Sequence, residues 1–280
     1  MILQNKNAVI YGAGGSLGSA VAKALAAAGA KIFLTGRSIT SVQKITDEIH
    51  AAGGIAEADK VDALNEKEID EHLQRTIQVA GTVDILFCAI DYQVVQNMNL
   101  IEMTVDEFVR PVTLAMQSQF LTATAAAKIM MKQGSGVILS LTATPGGIGY
   151  PYTGGFAPAC AAIETFSKNL AAEMGAYGVR VVNIRSAGSP DSKVFKDAIN
   201  NNPKEMEPIL RNMENDTMLK KLPMMEDIAN VAVFLASDLA GKVTGVTIDV
   251  TSGTTAGLNY KVPRTAKDVR RAGSTISLID

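Results

Sequence analysis

The sequence predicts one α/β domain: a doubly wound parallel sheet of seven strands with helices on both faces. Three observations point there. Strand-length apolar runs alternate with helix-length patterns from residue 6 to about 252. The first run ends in a cluster of glycines that opens a helix. The 280 residues, 47% apolar and 19% charged, suit one large core and exclude a disordered or fibrous chain.

Each element carries its own signal. Asn7 to Tyr11 is an apolar run of strand length, and the alanine-rich helix Leu17 to Ala28 stops at Gly29. Lys31 to Thr35 is the second strand, followed by a helix over Thr40 to Ala52 that ends before Gly53 and Gly54. Ile55 to Val61 is the third strand, and Glu66 to Ala80 is a helix with acids in its first turn and Gly81 after its end. Asp84 to Cys88 is the fourth strand, and the long helix Val105 to Lys132 precedes Gly134. Gly136 to Leu141 is the fifth strand, Gly155 to Tyr177 the next helix and Val179 to Arg185 the sixth strand. A helix over Glu226 to Ser237 and a strand over Thr247 to Val250 complete the pattern.

One segment breaks the alternation. Ser189 to Met225 is polar, contains prolines and holds five methionines, so it reads as a helical flap inserted at the carboxyl end of the sixth strand, over the site where α/β sheets bind small molecules. The core domain then spans 1–257, and 258–280 is a locally basic tail.

Charge and special residues narrow the function. Lys plus Arg number 26 against 28 Asp plus Glu, a net charge of −2, which offers no field for nucleic acid or an anionic membrane. No run reaches the ~18 apolar residues of a membrane span, and the N-terminus lacks the apolar stretch of a signal peptide, so a cytoplasmic protein is expected. Cys88 and Cys160 are far apart, and His50 and His72 fall in helices without ligand neighbours, so no metal is expected.

The glycine loop carries the first functional signal. Gly12, Gly14, Gly15, Ser16, Leu17 and Gly18 sit between a strand and a helix, where glycine lets the backbone approach a pyrophosphate and offer amides at a helix N-terminus. Leu17 stands where G-x-G-x-x-G would have its third glycine, whereas Gly12 and Gly18 fit the G-x-x-x-G-x-G spacing. The second strand ends in Arg37 and Ser38, with no acid to hold the ribose 2′-hydroxyl of NAD. A guanidinium and a hydroxyl suit a 2′-phosphate, so NADP(H) is expected over NAD(H).

Taken with Val61-Asp62-Ala63, Val182-Asn183, Ala187-Gly188, Asp227-Ile228-Ala229, Phe234 to Ser237 and Thr244-Gly245, this loop resembles the short-chain dehydrogenase/reductase family over residues 4–257. The resemblance implies a Rossmann-like fold and a dinucleotide held by the loop, Asp62, Ala63 and Ala89, with Gly188, Pro190 and Ser192 toward the nicotinamide. It also implies a small-molecule substrate and a homodimer or homotetramer, for which the small residues of the Gly155 helix are suited. The family's chemistry uses a Ser, a Tyr-x-x-x-Lys and an Asn, and here these positions read Ala143, Phe156, Cys160 and Ala115. No Tyr-x-x-x-Lys exists anywhere in the chain. Tyr152, Thr144 and Thr142 are the substitute catalytic candidates, with Tyr152 as proton donor. Asp91 is the acid expected to face the pocket, and Cys160 beside Glu164 is expected to pack rather than react. Three readings stay open: an atypical NADP(H)-dependent oxidoreductase on a carbonyl or alcohol, an inactive NADP(H)-binding sensor or partner subunit, and a non-redox enzyme on the same fold.

Overall fold

A computed structural model describes residues 1–257, so the tail from 258 onward lies outside the described residues. In chain order the elements are β1 (Asn7–Tyr11), α1 (Ser16–Ala27), β2 (Lys31–Gly36), α2 (Ile39–Ala51), β3 (Ile55–Lys60), α3 (Glu66–Ala80) and β4 (Ile85–Cys88). They continue with α4 (Val105–Gln133), β5 (Gly136–Ala143), α5 (Phe156–Met174), β6 (Val179–Ser186), α6 (Lys193–Asn201), α7 (Pro203–Asp216), α8 (Met225–Ala236) and β7 (Thr247–Val250).

The strands form one parallel sheet in the order β3-β2-β1-β4-β5-β6-β7. The chain starts at β1, winds outward to β3 and returns to β4 on the other side of β1. Connections therefore leave β1 and β4 in opposite directions, which opens a crevice at their carboxyl ends. Every residue of β1 and of β4 is buried, as two covered faces require. On one face Val21, Leu25, Ile45 and Leu235 pack on the sheet, and on the other Ile69, Leu73, Ala126 and Met130.

Two boundaries matter for the site. β5 runs two residues past the expected Leu141 because its ladder with β6 continues to the pair Ala143–Ser186, so Thr142 and Ala143 are strand residues at its mouth. The helix expected over Gly155 to Tyr177 is α5 plus one 3-10 turn, closed by Gly178 at φ 74°. α4 is set at its start by a capping box of Thr104 and Glu107 and ends at Gly134 in the left-handed region.

His72 is buried in the α3 face, edge-on to Tyr11 with ring centroids 6.1 Å apart. Asp59 Oδ2 lies 3.5 Å from its Nε2, too far for a hydrogen bond, and the other oxygen of that carboxylate is engaged by Arg75 at 2.9 Å. Burial, followed by the charge of Arg75, therefore lowers the imidazole pKa to about 4. The unfolded chain takes up a proton near pH 6.5 that the folded chain refuses until about pH 4, so stability falls with pH across that window. Urea unfolding is expected to show about 2 to 3 kcal/mol less stability at pH 4.5 than at 7.5 from this group. A His72→Leu variant should lack that increment; an unchanged pH dependence would refute the assignment.

Candidate active site

The glycine loop sits at the carboxyl end of β1, beside the point where the winding reverses. Gly12 has φ +80°, and a Cβ there would lie 2.2 Å from the Ala89 carbonyl oxygen. A Cβ on Gly18 would lie 2.3 Å from the Gly12 carbonyl oxygen, and one on Gly14 would lie 2.7 Å from Ser41 Oγ. These glycines let the loop fold onto the end of β4, the first turn of α1 and the start of α2. α1 begins at Ser16 with Gly15 as its cap and no side chain covering its first amides, an arrangement suited to an anion.

A cavity of about 270 Å³ opens along this loop. Of the expected cofactor residues it brings together Gly12, Gly14, Gly15, Arg37, Ser38, Asp62, Ala63 and Ala89. Asp62 is held in a turn by its own carboxylate, which accepts from the Leu64 amide at 3.1 Å. Arg37 and Ser38 are exposed at the end of β2, beside the loop. This donor set fits an adenine dinucleotide: a Cβ-free cradle for phosphate, a hydroxyl and a guanidinium at the end of β2, and apolar side chains such as Val61 and Ala63 for a base. Ser41 of α2, Gln93 after β4 and Leu114 of α4 also line the cavity and were not legible, since nothing local in the sequence aims them at the end of β1.

The remaining expected residues fall elsewhere. Gly18 is buried in the loop's support, and Leu17 packs on the core. Ser16 turns its hydroxyl to the flap, where Oγ accepts from the Lys193 amide at 3.0 Å. Ser192 caps α6 with its backbone alone, and Pro190 is half-buried in the preceding turn. Asp191 then receives the Met225 amide at 3.1 Å, which ties this turn to the start of α8. Gly188 belongs to a second cavity, pressed between Phe195 and Met213 of the flap helices.

That second cavity holds about 550 Å³ between the loop after β5, the start of α5 and the flap. Ala143, Thr144, Tyr150 and Phe156 line it, with Met213, Asp216 and Leu222 opposite. Thr144 is committed to the Ser186 carbonyl at 3.2 Å. Thr142 lies behind the wall, donating to Glu164 Oε1 at 2.9 Å and accepting from Asn183 at 2.7 Å. Tyr152 lines neither described cavity: its backbone has φ 61°, it is 55% exposed, and its carbonyl holds the Asn97 amide at 2.8 Å. The phenol on the cavity is Tyr150, two residues earlier in the same loop. Asp91 lines the first cavity, not the second, where the acid is Asp216.

Behind the wall runs a buried polar chain that residue types alone do not announce. Ser167 and Ser140 meet at 2.8 Å, Ser140 donates to Asn183, and Asn183 donates to Thr142, which donates to Glu164. Glu164 takes Nε and an Nη of Arg185 in a bidentate pair, and the other Nη reaches Asp249 at 2.9 Å. These bonds and the Asp249 charge raise the Arg185 pKa, the Glu164 hydrogen bonds most of all. Gly146 and Gly147 rest on the pair: a Cβ would come within 2.7 Å of Glu164 Oε1 and 2.6 Å of an Arg185 nitrogen respectively.

A small buried cluster adjoins the second cavity through Phe156. Ala115 and Cys160 are fully buried. The ring of Tyr92, with its hydroxyl 3.4 Å from Gln119 Nε2, packs with Ala115, Ala159 and Phe156. Burial pushes the Cys160 thiol up to about 12 and the Tyr92 phenol higher still. Among the described residues no group of three or more His, Cys, Asp or Glu is placed to hold a metal, and no helix is long and apolar enough to cross a membrane.

Comparison with known proteins places the arrangement. Residues 12–255 match the family model described as enoyl-(acyl carrier protein) reductase. The chain is 30% identical over 248 residues to a 3-oxoacyl-[acyl-carrier-protein] reductase of Synechocystis sp., covering 88% of this chain and 95% of the relative. It is also 30% identical over 257 residues to the 7alpha-hydroxysteroid dehydrogenase of Escherichia coli, covering 92% and 97%. A short-chain type dehydrogenase/reductase from Mycobacterium marinum superposes with a TM-score of 0.78 at 26% identity, over 91% of this chain and 96% of that one. This chain belongs to the short-chain dehydrogenase/reductase family of oxidoreductases, whose members bind NAD(P)(H) and small-molecule substrates and are typically oligomeric.

Proposed function

We propose that this protein is an NADP(H)-preferring oxidoreductase that reduces a carbonyl, or oxidises the matching alcohol, with a proton donor other than the usual tyrosine. The carrying observation is the end of β2, where Arg37 and Ser38 border the first cavity and neither is an acid. A nicotinamide cofactor supplies hydride when bound. The chain's own tasks are then to hold the phosphates on the Gly12 to Gly15 loop, to seat the substrate in the second cavity and to deliver a proton. Thr142 and Thr144 are spent on structural bonds and Tyr152 does not line the second cavity, so we assign proton delivery to Tyr150. The assembly we expect is a homodimer or homotetramer, supported by Phe120, 53% exposed on α4 beside Phe166 of α5. A cytoplasmic setting suits its two buried free cysteines.

Titration with NADPH and NADH, read by nicotinamide fluorescence and thermal shift, tests the cofactor. Micromolar binding of NADPH, weaker binding of NADH, and about a tenfold loss for NADPH alone in Arg37→Ala are expected. Equal affinities, or an Arg37→Ala variant that loses both cofactors alike, would overturn the preference. Once a carbonyl panel yields a substrate, Tyr150→Phe should lower turnover about 100-fold and Tyr152→Phe should leave it near the parent.

A second reading has its own observation. Phe156, Cys160 and Ala115 hold the positions that the family resemblance assigns to the proton relay, and the packing of Phe156 and Ala115 with Tyr92 and the full burial of Cys160 favour a cofactor-binding sensor or inactive partner subunit. Tight NADPH binding with no turnover across the panel would select it.

A further inference from the structure

The second cavity carries an uneven set of chemistries. Three aromatic rings line it, those of Tyr150, Phe156 and Phe195. Asp216 is its one charged residue, and among the described residues no Lys, Arg or His lines it. Asp216 is also the last residue of α7, so the final carbonyls of that helix add partial negative charge at the same end. Asp216 takes part in no ion pair among the described residues. The ammonium of Lys220 is held on the neighbouring Asn215 carbonyl, and Lys220 does not line the cavity. Pro145, Ile148 and Leu222 supply the rest of an apolar wall.

Aromatic faces and one carboxylate, with no cation lining the cavity among the described residues, recognise a positive charge carried on a hydrocarbon body. A carboxylate or phosphate ligand would meet Asp216 and the end of α7, and among the described residues no Lys, Arg or His lines the cavity to neutralise it. We infer that the second cavity takes a protonated amine on a compact apolar skeleton and rejects carboxylates. This rests on the cavity being the substrate site of the oxidoreductase proposed above; the substrate would then be an amino ketone or amino alcohol. The volume of about 550 Å³ gives room for a bicyclic or tricyclic body.

The test uses three ligands of one shape: 1-adamantylamine, 2-adamantanone and adamantane-1-carboxylate. Each is titrated calorimetrically into the full chain at pH 7 and low salt, with and without NADPH. The amine should bind about tenfold tighter than the carboxylate, with the neutral ketone between them. Asp216→Asn should shrink the gap to about twofold without moving the ketone, and 0.5 M NaCl should narrow it as well, because Asp216 is exposed. The inference is overturned if the carboxylate binds as well as the amine, if the gap survives Asp216→Asn, or if none of the three binds at 10 mM. NADPH binding in the same samples separates the two readings. NADPH binding without amine preference removes only the ligand class, and amine preference without NADPH binding removes only the cofactor.

Discussion

Gly12→Ala is expected to abolish NADPH binding and to lower the melting temperature by about 5 to 10 °C. Two costs combine. At φ +80° a side chain occupies the left-handed region, at about 1 to 2 kcal/mol. The new Cβ also lies 2.2 Å from the Ala89 oxygen, a backbone atom that cannot swing aside, so β1 and β4 must separate at their carboxyl ends at a further cost of about 1 to 3 kcal/mol. That separation moves the loop, Ala89 and the amides of α1 together, and these form one wall of the first cavity. Gly53→Ala is the matched control: its φ is +81°, but nothing lies within 4 Å of the new Cβ, so only the backbone cost applies and cofactor affinity is untouched. Equal thermal shifts for the two variants would show that the contact with Ala89 is not what makes Gly12 necessary.

Arg185→Met should cost about 3 to 5 kcal/mol in urea unfolding, because it strands the Glu164 carboxylate in a nearly closed environment. The side chains of the pair are 14% and 9% exposed, so solvent screens the loss little. The effect should reach the second cavity, since Gly146 and Gly147, which lie against the two partners, connect its lining residues Pro145 and Ile148. The double variant Glu164→Gln with Arg185→Met removes the stranded charge and should recover at least half of the lost stability. A single variant within about 1 kcal/mol of the parent would mean that the Thr142 hydroxyl and solvent satisfy the Glu164 carboxylate without the guanidinium.

These two expectations draw on different levels of information. Gly12 is legible in sequence because its constraint is local: a strand, a forced turn and a helix leave their marks within a dozen neighbouring residues. The strands and helices are legible for the same reason, since period-two and period-3.6 burial act residue by residue. The shift in the end of β5 shows the limit. Its last two residues belong to the strand because β6 pairs with them, and no local signal encodes that ladder. Glu164 and Arg185 likewise stand 21 residues apart and meet because α5 lies on the sheet beside β6.

The candidate site divides along that line. Gly12, Gly14, Gly15, Arg37, Ser38, Asp62, Ala63 and Ala89 all follow the ends of β1 to β4, so any fold with these strands brings them to one crevice. Tyr150 and Tyr152 stand two residues apart in one loop, and nothing local says which of them lines the cavity: Tyr150 does, whereas Tyr152, 55% exposed with its backbone at φ 61°, does not. Asp216 reaches that cavity through the placement of the flap, which joins the body through contacts such as the Lys193 amide on Ser16 and the Met225 amide on Asp191. The sequence by itself therefore determined the doubly wound sheet and the residues of its glycine-lined crevice, because burial periodicity and turn sterics are local forces. Only the tertiary structure decided which side chains line the second cavity, because side-chain direction and the seating of the flap depend on contacts between residues far apart in the chain.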